Sequence, residues 1–137
     1  MTRYTVLIDG EAGAYGVIFP DLPGCAAMGD TIDETMINAA DALRDWVEVT
    51  LGGGADVPMP RPIEVLRADP EVREALGDGA TLASVPLVRE TGKPTKANLS
   101  LDAGILSAID AEAARRKLTR SAFVELLARH ALPEMTV

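Results

Sequence analysis

The sequence is poor in cysteine, in aromatic residues and in long apolar runs. Cys25 is the only cysteine, so it can form neither an internal disulfide nor a cysteine-based metal site, and we expect no metal and no cofactor. Aromatic residues make up only 4% of the chain, so aliphatic residues must build the core. No apolar run approaches the roughly 18 residues that span a bilayer, and residues 1–5 do not resemble a signal peptide. We therefore expect a cytoplasmic protein with no membrane partner.

Charge is distributed unevenly along the 137 residues. Residues 1–92 hold 6 Lys and Arg against 16 Asp and Glu, whereas residues 93–137 hold 7 against 5. Such asymmetry indicates two modules with different partners. The acidic module should repel phosphate and attract a basic protein, while the C-terminal module can approach DNA.

Strand-like segments open the acidic module and precede a long helix. Residues 3–9 and 14–19 have strand composition, and residues 25–28 are a candidate third strand. Thr31 and Glu34 have the spacing of a capping box, which predicts a helix that ends at the glycines of residues 52–54. Apolar residues recur there at helical spacing: Ile32, Met36, Ile37, Ala40, Leu43, Val47 and Leu51. Further on, the pattern predicts a helix over residues 63–76 that breaks at Pro70, and a strand over residues 81–88.

The basic module follows a linker at residues 91–94 and is compact. Residues 95–101 alternate strictly between polar and apolar side chains, which predicts a short strand. Asp102 can cap a helix that runs to about Lys117, and Thr119 can cap a second helix that ends near Pro133.

One strand and two short helices cannot bury their apolar faces alone, and a lone strand leaves a bare edge. Two copies solve both problems, because their strands can pair as an antiparallel ribbon about a two-fold axis. We therefore predict a homodimer, or a tetramer of two dimers. The predicted dimer core consists of Ala97, Leu99, Leu101, Ile109, Phe123 and Leu127.

The other face of that ribbon would display Lys96, Asn98 and Ser100 from each chain. A two-stranded ribbon fits the DNA major groove, where these three side chain types can bond base edges. A second candidate contact is the helix start at Thr119, Arg120 and Ser121, where backbone N–H groups and the helix dipole favour phosphate. An ordinary solvated strand face is the alternative interpretation of residues 96, 98 and 100.

Two resemblances to known families sharpen these expectations. Residues 95–102, 109–113 and 119–123, in that order, resemble the pattern of ribbon-helix-helix repressors. The motif Phe19-Pro20-Asp21-Leu22-Pro23-Gly24-Cys25, followed by residues 29–34 and the helix over residues 39–46, resembles HicB-type antitoxins. Together they imply an α+β protein with a βββα(α)β partial RNase-H-like domain (residues 1–90) and a C-terminal ribbon-helix-helix (βαα) dimerisation module (residues 95–137).

The HicB-type resemblance also implies a function. Members bind and block a small RNA-cleaving toxin of the HicA type, and their DNA-binding tail binds operator DNA to repress the shared operon. We expect the acidic domain to contact such a toxin at the motif loop, which comprises Pro20, Asp21, Leu22, Pro23, Gly24 and Cys25.

Two alternative functions remain open on the residues alone. The chain could be a stand-alone ribbon-helix-helix transcription regulator whose N-terminal domain senses a ligand or a protein. Alternatively, its acidic residues could hold two metal ions of an RNase-H-like nuclease. The candidate carboxylates for that site are Asp9, Asp21, Asp30, Asp33 and Glu34. Because several of them lie in a proline-locked loop or at a helix start, where acids favour the dipole, we expect no catalytic residues and no enzyme.

Overall fold

The computed structural model of the protein describes residues 1–135. The chain divides into two compact units, Met1–Arg89 and Glu90–Val137. The last two positions of the predicted C-terminal module, 136 and 137, lie outside the described residues.

The N-terminal unit begins with a three-stranded antiparallel meander. Strand β1 (Arg3–Glu11) pairs with β2 (Ala14–Ile18), and β2 pairs with β3 (Ala26–Gly29). The first turn requires glycine at position 10, where φ is +95° and a Cβ atom would lie 2.1 Å from the carbonyl oxygen of Ala14. The three predicted strands are therefore confirmed, each within two residues of its expected bounds.

Helix α1 (Ile32–Gly52) begins where the capping box predicted it. The Thr31 hydroxyl accepts a hydrogen bond from the Glu34 backbone N–H at 3.1 Å, and the helix ends at the glycine run. The predicted apolar stripe is only partly correct, because Ile32 and Leu51 are exposed. The fully buried positions are spaced by four residues: Thr35, Ala39, Leu43 and Val47.

The chain returns to the sheet after two short helices. Helices α2 (Ile63–Ala68) and α3 (Pro70–Gly77) are separated at Asp69, which confirms the predicted break beside Pro70. Strand β4 (Thr81–Pro86) then pairs antiparallel with β1, giving the sheet order β3-β2-β1-β4. A mixed α+β fold with a four-stranded antiparallel sheet is therefore confirmed.

Successive side chains of β1 pack on opposite faces of the sheet. Val6 belongs to the main core, which α1 covers, and Leu7 belongs to a smaller core with Leu66 of α2 and Val72 of α3. The N-terminal unit therefore has helices on both faces of its sheet, with α1 on one face and the α2–α3 pair on the other.

The C-terminal unit contains helices α4 (Ala103–Arg115) and α5 (Arg120–Ala131), followed by a single 3₁₀ turn (Leu132–Glu134). Asp102 and Thr119 cap the two helices with their side chain oxygens, as the sequence predicted. Lys117 lies between them with φ of +57°. Its N–H bonds Ala114, and that of Leu118 bonds Ala113, which completes a Schellman turn at the end of α4.

Residues 95–101 pair with no other strand in the part of the chain that the structure describes. The strand predicted over residues 95–101 is therefore not present in the single chain, where the segment is extended without ladder hydrogen bonds. Over residues 1–135, no helix combines the length and apolar content that a bilayer span requires.

Candidate functional site

The motif loop connects β2 to β3 and is mostly a core element. The N–H of Leu22 bonds the carbonyl of Phe19, and the N–H of Cys25 bonds that of Leu22, so the loop is tightly wound. Leu22 and Cys25 are buried in the main core, and only Pro23 and Gly24 are exposed. The Leu22 and Cys25 side chains therefore offer little surface to a partner, and the accessible part of the loop is its tip.

A buried carboxylate fixes the start of this loop. The Asp21 side chain is 3% exposed and bonds Arg61 twice, accepting from the backbone N–H at 3.0 Å and from Nε at 2.5 Å. The Arg61 guanidinium also donates to Asp69 at 3.0 Å. Both carboxylates raise the pKa of Arg61, and the Arg61 hydrogen bond is the main cause that lowers the pKa of Asp69. Arg61 is thus the centre of an ion-pair network that joins Asp21 of the loop to Asp69 between α2 and α3.

Two further hydrogen bonds attach the loop and the proline-rich segment to the core. The Trp46 indole N–H of α1 donates to the carbonyl of Pro23 at 3.1 Å. The Tyr4 hydroxyl donates to the carbonyl of Pro58 at 2.7 Å.

Burial raises the pKa of the Cys25 thiol to about 11. Cys25 is therefore a packed thiol with little thiolate at neutral pH.

The predicted DNA-facing residues of the C-terminal unit are all solvent-exposed. Lys96, Asn98 and Ser100 lie in the extended segment before α4, and nothing in the described chain covers them. Their availability meets the first requirement of a base-contacting face, but contact with DNA stays a prediction.

Most of the predicted dimer core is exposed in the single chain. Leu99 is 67% exposed, whereas Phe123 is buried and Ile109 is half-buried. The exposed members of the set are Ala97, Leu99, Leu101 and Leu127. These exposed side chains leave apolar surface in contact with water, and a second copy of the chain can cover it.

A groove of about 600 Å³ runs between residues 94–101 and the helices α4 and α5. Leu99, Leu101 and Ile109 line it together with Leu106 and Val124. Three of the predicted DNA contacts, Lys96, Arg120 and Ser121, line the same groove. The groove therefore brings residues of the predicted dimer core together with polar residues, and it is apolar only in part.

The predicted phosphate contact is partly occupied by groups of the chain itself. The Thr119 hydroxyl accepts from the N–H of Ala122 at 3.1 Å, so it serves as the cap of α5. Arg120 forms a two-bond ion pair with Asp110, with both N···O distances at 2.8 Å. The Arg120 guanidinium lowers the pKa of Asp110 by hydrogen bonding to its carboxylate. Ser121, the third residue of the predicted contact, is exposed. A phosphate at this helix start would therefore compete with Asp110 for Arg120.

The acidic residues do not converge. Among residues 1–135, no group of three or more His, Cys, Asp or Glu side chains is placed to hold a metal ion. Asp21, one of the five candidate carboxylates for a nuclease, bonds Arg61 instead. The geometry thus gives the nuclease hypothesis no support.

Sequence patterns did not reveal Arg61, Asp69 or Asp110 as partners of the predicted site residues. Arg61 lies in a proline-rich segment without periodicity, 40 residues after Asp21. Asp69 carried one local signal, since it precedes a proline and can cap α3. Asp110 lies on α4, ten residues before Arg120 at the start of α5. Because the two residues belong to different helices, the periodicity of one helix cannot predict that they meet.

The fold has relatives among known proteins. Residues 4–128 match the family model described as HicB_like antitoxin of bacterial toxin-antitoxin system. A curated relative, the uncharacterized 14.9 kDa protein in the rep-hol intergenic region of Haemophilus phage HP1, is 34% identical over 107 residues, which cover 78% of each chain.

Solved structures agree with this assignment. The crystal structure of the Burkholderia pseudomallei antitoxin HicB is 34% identical, with a TM-score of 0.51, over 99% of this chain and 100% of that one. A chain of the HicA3 and HicB3 toxin-antitoxin complex is 25% identical, with a TM-score of 0.53, over 64% of this chain and 99% of that one. The resemblance inferred from the Phe19–Cys25 motif is thereby confirmed, and the chain belongs to the HicB-like antitoxins of bacterial toxin–antitoxin systems.

Proposed function

We propose that this chain inhibits a HicA-like RNA-cleaving toxin and represses the operon that encodes both proteins. Residues 1–90 act as the toxin-binding domain, of the partial RNase-H-like type, and residues 95–137 act as a ribbon-helix-helix module. Two chains form the DNA-binding dimer, and two dimers can form a tetramer. The observation that carries the proposal is the apolar surface of the C-terminal unit, where Leu99 and Leu101 are exposed beside a groove.

The net charge of the N-terminal unit and its similarity to a known antitoxin chain support the toxin-binding part of the proposal. Residues 1–89 hold 6 Arg, no Lys and 15 Asp and Glu, so the unit carries a net charge of −9 that favours a basic partner. A chain similar to 64% of this one occurs in the HicA3 and HicB3 toxin-antitoxin complex. Antitoxins of this family are not enzymes in that role.

The alternation of apolar and polar residues over residues 95–101 supports the DNA-binding part of the proposal. If residues 95–101 of two chains pair as antiparallel strands, Ala97, Leu99 and Leu101 enter the shared core, and the intervening polar residues face outward. Each outward residue then appears twice about the two-fold axis, so the operator should contain an inverted repeat.

The dimer is tested with two charge substitutions on opposite faces of the same strand. Leu99→Asp places a carboxylate in the shared core and should convert the full chain to a monomer in sedimentation velocity runs at micromolar concentration. Ser100→Asp adds the same charge on the outer face and should leave the dimer intact while weakening DNA binding. A wild-type chain that sediments as a monomer would refute the ribbon.

Base contact and phosphate contact are separated by titrating operator and scrambled DNA at several salt concentrations. Asn98→Ala should lose about 1–3 kcal/mol on operator DNA alone, because it removes a base-edge contact. Arg120→Ala should weaken both DNAs equally and reduce the salt dependence by about one phosphate contact per chain. If Asn98→Ala keeps full discrimination and Arg120→Ala abolishes it, the two faces are assigned the wrong way round.

The toxin is tested by co-expressing the chain with the HicA-like protein encoded beside it. The wild-type chain should restore growth and copurify with that protein. Growth rescue without copurification, or no rescue at all, would favour the stand-alone regulator instead. RNA cleavage by the purified chain with Mg²⁺ would favour the nuclease.

A further inference from the structure

The sheet of the N-terminal unit is covered on one face along its whole width but on the other face only in part. Strand alternation and pairing register place Leu7 of β1 beside Leu82 of β4 on the face opposite α1. Leu66 and Val72, from α2 and α3, pack against this pair. The helices therefore cover the β1–β4 half of that face, and the β2–β3 half is left open.

The residues on the open half depart from the usual pattern of a solvated sheet. An antiparallel sheet with one wet face alternates apolar residues inward with polar residues outward. Here the register brings together five residues without a polar side chain, which we call the open sheet face: Ala14, Gly16, Ile18, Ala26 and Met28. Ile18 is 51% exposed and Met28 is 72% exposed. Two large apolar side chains thus project from a flat strip of small residues.

Carboxylates border this apolar strip. Asp9 and Glu11 of β1 lie on the same face by alternation, and both are exposed. Asp9 lies directly beside the strip, because a Cβ atom on Gly16 would be 3.0 Å from its Oδ1 atom. Apolar anchors beside acidic groups complement a basic partner surface that carries an apolar patch.

We propose that the open sheet face is the docking surface for a basic protein partner, with Met28 and Ile18 as anchors and Asp9 as the charged contact. The assignment rests on the proposed function, in which that partner is the HicA-like toxin. A second copy of this chain fits less well, because two units of net charge −9 would place Asp9 and Glu11 of one against those of the other.

The experiment measures the dissociation constant of the full chain with the HicA-like toxin encoded beside it. Met28→Lys should weaken binding at least about tenfold, because it replaces an apolar anchor, which the complex would bury, with a charge that repels a basic partner. Val49→Lys is the matched control: Val49 is 76% exposed on α1, across the sheet, and its substitution should change binding less than about twofold. Both positions are exposed, so the thermal unfolding midpoint should stay at the wild-type value.

A second variant tests the charged contact. Asp9→Asn should slow association and flatten its salt dependence, with a smaller effect on dissociation. Equal binding by wild type and Met28→Lys would overturn the surface assignment while leaving the proposed function standing. A change of oligomeric state in Met28→Lys without toxin would identify the face as a self-contact and overturn it as well. If the wild-type chain does not bind the toxin, the proposed function itself fails.

Discussion

Removal of the Arg61 side chain should destabilise the N-terminal unit far more than removal of an ordinary surface arginine. Asp21 is buried, and Arg61 supplies both of the hydrogen bonds that it accepts. In Arg61→Ala the backbone N–H bond can persist, but the carboxylate loses its counter-charge. Breaking a fully buried ion pair in this way costs about 3–5 kcal/mol. The Arg61 side chain is 38% exposed, so solvent screening and the retained N–H bond place the expected cost at the lower end, near 3 kcal/mol.

The assay is urea unfolding of the full chain, followed by a probe specific for the N-terminal unit. Trp46 is the only tryptophan and belongs to α1, so its fluorescence reports that unit. With an m-value of about 1–3 kcal/mol/M, the midpoint should fall by about 1–3 M. The matched control is Arg67→Ala, which removes the same charge from an exposed position on α2 and should cost less than about 0.5 kcal/mol.

Two further variants identify the cause. Asp21→Asn combined with Arg61→Ala should cost less than the sum of the single changes, because the neutral amide leaves no buried charge unpaired. Arg61→Lys should be intermediate, since an ammonium cannot bond both carboxylates through one planar group. Arg61 holds the pKa of Asp69 below its ordinary value. The stabilisation from the Arg61–Asp69 ion pair is therefore present at neutral pH, and it is lost as the pH falls through the lowered pKa of Asp69. Equal losses for Arg61→Ala and Arg67→Ala would refute this account.

Three more outcomes follow from the structure. Lys117→Gly should raise the unfolding midpoint of the C-terminal unit, gaining about 1 kcal/mol, because position 117 has left-handed φ; Lys117→Ala should show no such gain. Cys25 should react with a thiol reagent at pH 8 only after urea unfolding, since its pKa is raised to about 11; reaction in the native chain would contradict its burial. Asp110→Asn should strengthen DNA binding and steepen its salt dependence by releasing Arg120, and unchanged binding would show that the ion pair does not compete with phosphate.

Local signals in the sequence were sufficient for most of the secondary structure. The caps at Thr31, Asp102 and Thr119 and the break beside Pro70 each depend on a few neighbouring residues, and all are present in the structure. Capping and proline effects act within one turn of helix, so the order of residues is enough to predict them.

Which residues of α1 are buried depends on the lengths of the helix and of the strands beneath it, and the periodicity of the sequence does not give these lengths. A helix of 21 residues is about 31 Å long, whereas the five residues of β2 span only about 17 Å. The helix therefore extends beyond β2, and Leu51 near its end stays exposed despite its apolar spacing. Thr35 is buried instead, because its hydroxyl donates to the Thr31 carbonyl at 2.6 Å and leaves no unsatisfied polar group.

The sequence indicates which polar and charged residues belong to the candidate sites, but it does not predict which residues of the chain they bond. Arg120 was expected to bind phosphate because it lies at a helix start, and that position is real. Its neighbour in space, Asp110, is brought there by the turn between α4 and α5, in which Lys117 adopts a left-handed conformation. Similarly, Asp21 was expected at a partner surface, but the chain folds Arg61 onto it. Arg120 and Asp21 both meet opposite charges that the fold supplies, so an external phosphate or protein must displace those contacts before it can bind either residue.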